Sequence, residues 1–204
     1  HLRGGFVRKG APIVKITASA LTIGSGGSAG KEGPIAQIGS GFGSLLAGAL
    51  GLNPKERRLL LLAGAAGGIG AIFQAPLGAA LFVPGVLYGD TEYESEAILP
   101  CIISSIIAHT VFSQIFGQAP IFQPGPVSFE MPRELLPYAI FGVACAAVGF
   151  VYVKVFYGMR DHFFARLPIP RTLKPALGGF LLGVTAMFYP QIIDGGYAWI
   201  QSAL

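Results

Sequence analysis

Lys31 and Glu32 stand side by side in the stretch GSGGSAGKEGP, Gly24 to Pro34, between the apolar segments Ile13–Ile23 and Ile35–Leu52. A carboxylate and an ammonium among glycines suggest three chemistries: a phosphate cradle, a solvated linker, or a place where an anion meets a titratable acid. The phosphate cradle fails on residue type. It needs Gly, four residues, Gly-Lys and then a Ser or Thr hydroxyl for magnesium. Here Ser25 holds the first position and Glu32 stands where the hydroxyl belongs, so the loop would repel phosphate. A linker accounts for the glycines but not for the charges, since ionisable residues at membrane depth cost about 2.5–3.5 kcal/mol each and mark ion or proton paths. The linker stays open, because the short first segment does not fix the depth of the stretch.

The third reading fits the backbone. Pro34 suits the first turn of a helix that runs on through IAQIGSGFGSLLAGAL. A helix start attracts anions through its unpaired N–H donors and about half a unit of positive dipole charge. Glu32 sits at that start, and its carboxylate is itself an anion able to take a mobile halide's place. Protonation removes the competitor, so one side chain couples anion passage to pH. The glycines let the backbone come close to the ion.

The elements that must hold this arrangement are apolar. Of 204 residues, 52% are hydrophobic and 12% charged, about half the charge of an ordinary soluble domain. Thirty Gly and fifteen Pro accompany that apolarity, which suits membrane helices better than disorder. No charged residue occurs from Leu59 to Gly89 or from Ala97 to Phe129, each longer than one crossing of hydrocarbon requires. Runs Gly33–Pro54, Leu135–Val153 and Pro175–Ile193 are each about one crossing long. Pro76 in FQAPLGAALF divides the run 59–89 into two shorter helices with a break near Gln74. Small residues spaced three and four apart in SGFGSLLAGALG, AGAAGGIGA and LGGFLLGVTA allow close helix crossings. The fold class expected is an all-α membrane protein, a multi-pass bundle of tilted and broken helices.

Polar linkers separate the runs at 53–58, 89–96, 117–134 and 157–174. The last carries Arg160, Arg166, Arg171 and Lys174 against Asp161 alone, which assigns it to the cytoplasm. Single crossings on either side then put loop 117–134 outside and the acidic linker 89–96 inside. The net charge of +4 is dispersed, without a basic cluster interleaved with aromatics, so nucleic acid is not an expected partner. Cys101 and Cys145 sit in apolar runs and read as buried thiols. His109 and His162 have no ligand companions at usable spacing, and no set of catalytic side chains is visible. Neither an enzyme, a metal site nor a cofactor is expected. The chain opens at His1 without Met and reads as a piece of a longer protein.

The stretch GSGGSAGKEGPIAQIGSGFGSLL resembles the gating-glutamate motif of the CLC family of voltage-gated chloride channels and chloride/proton antiporters, Gly-Lys/Arg-Glu-Gly-Pro. RRLLLLAGAAGGIGAIFQAPLGAALF (57–82) is similar to the family's next helix pair, with its Asn/Gln-Ala-Pro-Leu break. YGDTEYESEAILPCIISSIIAHTVF and FYPQIIDGGYAWI extend the likeness across essentially the whole chain. The resemblance implies a partial CLC-type transmembrane domain over 1–204: the end of a first inverted half, about 1–116, and the start of a second, about 134–204. It also implies a homodimer in the full-length protein, with helices near 75–88 and 96–116 at the interface, in the cell membrane. Glu32 is then the external gate, with Gly30, Lys31, Glu32 and Gly33 lining an anion site at which Ile35 and Ala36 aim their helix. Lys31 either balances local charge or attracts anions.

Three departures from the family pattern matter. The upstream Gly-Ser-Gly-Ile-Pro motif is missing from this chain. So are the downstream Gly-x-Phe-x-Pro motif and the later anion-coordinating Tyr, which Tyr138, Tyr152, Tyr189 and Tyr197 do not match in context; these four read as core or interfacial. Lastly, LFVPGVLYGD puts Val86 where antiporters carry a proton-relaying Glu, and a Val cannot titrate. Channel-like chloride passage is thereby favoured over strict exchange with protons. A truncated, non-conducting scaffold that keeps the dimer helices is the alternative, and Pro84 is expected to disturb its helix unless its neighbours compensate.

Overall fold

In the computed structural model, residues 4–88, 95–118, 120–123, 125, 133 and 135–204 are described, with side chains at 87 and 88 excepted. Eight α-helices follow one another among them: α1 Ala11–Gly24, α2 Glu32–Ala49, α3 Pro54–Phe73, α4 Pro76–Tyr88, α5 Ser95–Phe116, α6 Leu135–Gly158, α7 Lys174–Phe188 and α8 Tyr197–Ala203. The described residues form no strand. Most of linker 89–96 and much of loop 117–134 lie outside the described residues, and the side of the membrane assigned to each goes with them. The chain divides into two compact units, 1–123 with 191–203, and 124–190 with Leu204.

The first unit holds α1 to α5 and α8. The break near Gln74 is present. Gln74 takes a left-handed backbone (φ 53°), and the Ala75 N–H donates to the Gly70 carbonyl at 3.2 Å, closing α3 before Pro76 opens α4. Pro84 does not end α4, which runs on to Tyr88. Pro84 and Val83 are buried, so packing holds the turn that the missing proline N–H leaves open.

Glycine sets the distances between helices. A Cβ on Gly39 would strike the Gly64 carbonyl, and one on Gly64 would strike that of Gly39, so α2 and α3 cross backbone to backbone. Gly41 of α2 is likewise filled by the Pro12 ring of α1. A core of Leu62, Ala65, Ala66, Ala80, Val83, Ala97 and Cys101 joins α3, α4 and α5. The Ser44 hydroxyl donates to the Gly5 carbonyl at 2.6 Å and accepts from the Val7 N–H at 3.0 Å, tying the chain before α1 to α2.

The second unit is built around α6, in which no residue is buried. Cys145 is exposed on it, contrary to the buried thiol expected from its apolar neighbours; only Cys101 is enclosed. A helix apolar all round with no buried face suits hydrocarbon rather than water. Ser95–Phe116 (22 residues) and Leu135–Phe164 (30 residues) are both long and apolar enough to cross a membrane. A π-helical turn, Met159–Phe164, ends the second of these. There Lys174 Nζ donates to the Phe164 carbonyl and, at 3.4 Å, to that of Ala165. A cation on the terminal carbonyls of a helix is favourable.

Candidate functional site

α1 ends in a turn that spends its own carbonyls. The Gly26 N–H donates to Ile23 (2.9 Å) and that of Gly27 to Thr22 (2.8 Å), with Gly26 left-handed at φ 84°. A side chain at Gly27 would collide with the Thr22 carbonyl, so the glycine there is steric necessity. From this turn the chain reaches Lys31, the N-cap of α2, which provides no capping side-chain bond. The first-turn hydrogen bond, from the Ile35 N–H to the Lys31 carbonyl, is 3.1 Å. Pro34 lies in that turn and has no N–H, so the amides of Lys31, Glu32 and Gly33 are the donors of this helix start without an intrahelical partner.

Glu32 is the first residue of α2 and is half-buried. Its carboxylate has a defined seat. One oxygen lies so close to Gly30 that a Cβ there would overlap it, and the other accepts a 2.7 Å hydrogen bond from the Tyr197 hydroxyl. Lys31 Nζ does not pair with Glu32 and instead lies 4.7 Å from the centre of the Tyr197 ring. That ring stacks on Phe122 at 5.7 Å. α8 is tied to the same segment twice: the Gln123 N–H donates to Gln201 Oε1 (2.8 Å), and Gln201 Nε2 donates to the Gln123 carbonyl (3.0 Å). The hydrogen bond to Glu32, followed by burial, pushes the Tyr197 phenol above its usual range, so it remains a donor at physiological pH.

The structure thus brings Gly30, Lys31, Glu32 and Gly33 together with the first turn of α2. Ile35 and Ala36 are half-buried in that turn, and Ile35 packs on Gly68 of α3. A cavity of about 180 Å³ adjoins Gly30 and Pro34, with Lys15, Ser19 and Thr22 of α1 on its other wall. A larger space of about 780 Å³, lined by Gly39, Phe42, Gly64, Pro100 and Ser104 among others, has no ionisable side chain. Val86 on α4 is exposed. Sequence reasoning missed Tyr197 and Lys15. Tyr197 is 165 residues from Glu32, and no local pattern encodes that meeting. Lys15 did carry a signal, as the one charge within the apolar segment 11–24.

A family model described as voltage gated chloride channel matches residues 1–204. The chain belongs to the voltage-gated chloride channel family. Among its curated relatives, the chloride channel protein CLC-e of Arabidopsis thaliana is 30% identical over 195 residues, covering 91% of this chain and 28% of that protein. The H(+)/Cl(-) exchange transporter ClcA of Yersinia pestis is 30% identical over 195 residues, covering 93% of this chain and 41% of ClcA. A crystal structure of a slow cyanobacterial Cl-/H+ antiporter superposes with a TM-score of 0.79 at 24% identity, over 91% of this chain and 44% of that one. The fold is therefore that of this family, an all-α membrane protein of many helices. The chain spans less than half the length of these relatives.

Proposed function

We propose that this chain forms part of a chloride pathway across a membrane, here the cell membrane, and that Glu32 is the acid that opens and closes it. The observation that carries the reading is the seat of the carboxylate. Glu32 lies at a helix start that no side chain caps, folded back against Gly30, where an anion would otherwise meet the free amides. When charged, it competes with chloride for that place; when protonated, it has no reason to stay. Gly30, Lys31, Gly33, Ile35 and Ala36 form the backbone around the ion, and Lys31 adds positive potential beside it.

Val86 favours channel-like passage over obligatory exchange with protons, because the position offers no titratable group. The exchange activity named for the ClcA relative is the other form this pathway could take. In the full-length protein two copies pair through α4 and α5, whose outward Leu77, Leu81, Leu99 and Ile103 are exposed here. The halves of opposite orientation, about 1–116 and about 134–204, belong to the same reading.

Chloride efflux from liposomes holding the full-length protein tests the gate. Glu32→Gln should keep chloride flux and lose its dependence on pH. A Glu32→Gln protein that responds to acid as the wild type does would end this reading.

A further inference from the structure

We infer that Tyr197 is a positioning residue for Glu32, a latch whose hydroxyl holds the charged carboxylate in its seat and so sets the pH at which the gate releases. The inference rests on the gating role proposed above and adds a residue that lies far from it in sequence. Tyr197 lies within this chain and is distinct from the later anion-coordinating Tyr that the family resemblance places downstream.

Three observations converge. The hydroxyl donates to Glu32 Oε1 at 2.7 Å, while the other carboxylate oxygen takes the space that a side chain at position 30 would fill, so one bond and one steric fit define the seat. The ring is fixed independently of that bond, by Phe122 on one side, the Lys31 ammonium at 4.7 Å, and Gly195, where any side chain would press on the ring. α8, on which Tyr197 is the first residue, is anchored by the paired bonds between Gln123 and Gln201. The donor is therefore held in place rather than free to follow the carboxylate.

The partner's chemistry explains why this serves a gate. Lys31 is adjacent in sequence, yet among the described residues it makes no ion pair with Glu32 and stands over the ring instead. A neutral phenol holds a carboxylate more weakly than a buried ammonium does, so release costs little. It also prefers the charged acid, because a hydrogen bond to an ionised acceptor is about twice as strong as one to a neutral acceptor. The titratable and charged groups around the carboxylate and its phenol are Lys31 at the N-cap of α2, Tyr197 on α8, Asp194 in the turn before α8, and Lys15 on the α1 wall of the neighbouring cavity. Tyr197→Phe leaves all three other groups, the ring, its stacking and the cation contact in place and deletes the O–H alone.

The test is chloride efflux from liposomes across pH for the full-length protein carrying Tyr197→Phe, Glu32→Gln, or both. Tyr197→Phe should raise flux at neutral pH about two- to fivefold and move the acid-activation midpoint upward by about half a unit, as expected for one half-exposed hydrogen bond to a charged group. Gln201→Ala, which loosens α8 without touching the site, should shift the midpoint the same way by less. The double variant should match Glu32→Gln alone. If Glu32→Gln abolishes the acid response while Tyr197→Phe keeps the wild-type profile, the latch is refuted and the gate survives. The latch is equally refuted if Tyr197→Phe changes flux as much in the Glu32→Gln background as in the wild type. If Glu32→Gln leaves the acid response intact, gate and latch both fall.

Discussion

α3 begins with a complete capping box, and α2 begins with no side-chain cap at all. At α3 the Asn53 side chain accepts the N–H groups of Lys55 (2.9 Å) and Glu56 (3.0 Å), Glu56 accepts that of Asn53 (3.0 Å), and Pro54 contributes no donor. At α2 the N-cap is Lys31, without a capping bond, and the first-turn acid lies against Gly30 and accepts its hydrogen bond from Tyr197 rather than from its own backbone. Both helices carry a Glu within their first turn. The difference teaches what separates a structural acid from an available one. Glu56 is committed to its own backbone, and its removal costs stability. Glu32 is held by a distant ring, and in the proposed gate its departure exposes a positive helix end.

Breaking the crossing that supports both starts should have the largest effect. Gly64→Leu forces a side chain into the Gly39 carbonyl, and the full-length protein should lose about 3 kcal/mol of stability, read as a lowered melting temperature in detergent. Next comes the asymmetry itself. Glu32→Gln should collapse an acid-to-neutral flux ratio of about tenfold toward unity while leaving the melting temperature close to that of the wild type. Asn53→Ala should do the reverse, costing about 1 kcal/mol in the melt and leaving the pH profile of flux unchanged. The smallest effect should come from Glu96→Gln, which removes the exposed 2.7 Å pair with Lys55 at the α3 start and should cost less than about 0.5 kcal/mol. If Asn53→Ala altered the pH response as Glu32→Gln does, the distinction between the two starts would fail.

Local features of this molecule were legible in the sequence. The break at Gln74 follows from Pro76, since a proline has one good place in a helix and that place is its first turn. The helical class follows from uncharged runs, and the α2 start follows from Lys-Glu-Gly-Pro. Pro84 allowed a continuous helix only if its neighbours compensated, and the buried contacts around it do so, carrying α4 through. One feature misled. Cys145 lies in a run as apolar as that of Cys101, and apolarity alone does not tell a protein-facing position from an outward one on α6. Tyr197 was illegible for a stronger reason. Its meeting with Glu32 joins positions 165 residues apart, and neither helical period nor turn chemistry reports a contact of that span. What made the chemistry of the site readable was charge in an apolar setting; what hid its partner was distance along the chain.

The central claim is that the Glu32 carboxylate occupies the place of an anion at the open end of α2. Heats of chloride binding to the full-length protein at neutral pH, wild type against Glu32→Gln, test it most directly. Removal of the competing charge should tighten chloride binding by about tenfold or add a bound ion, as a vacated helix start with free amides requires. Identical isotherms for the two proteins would contradict it.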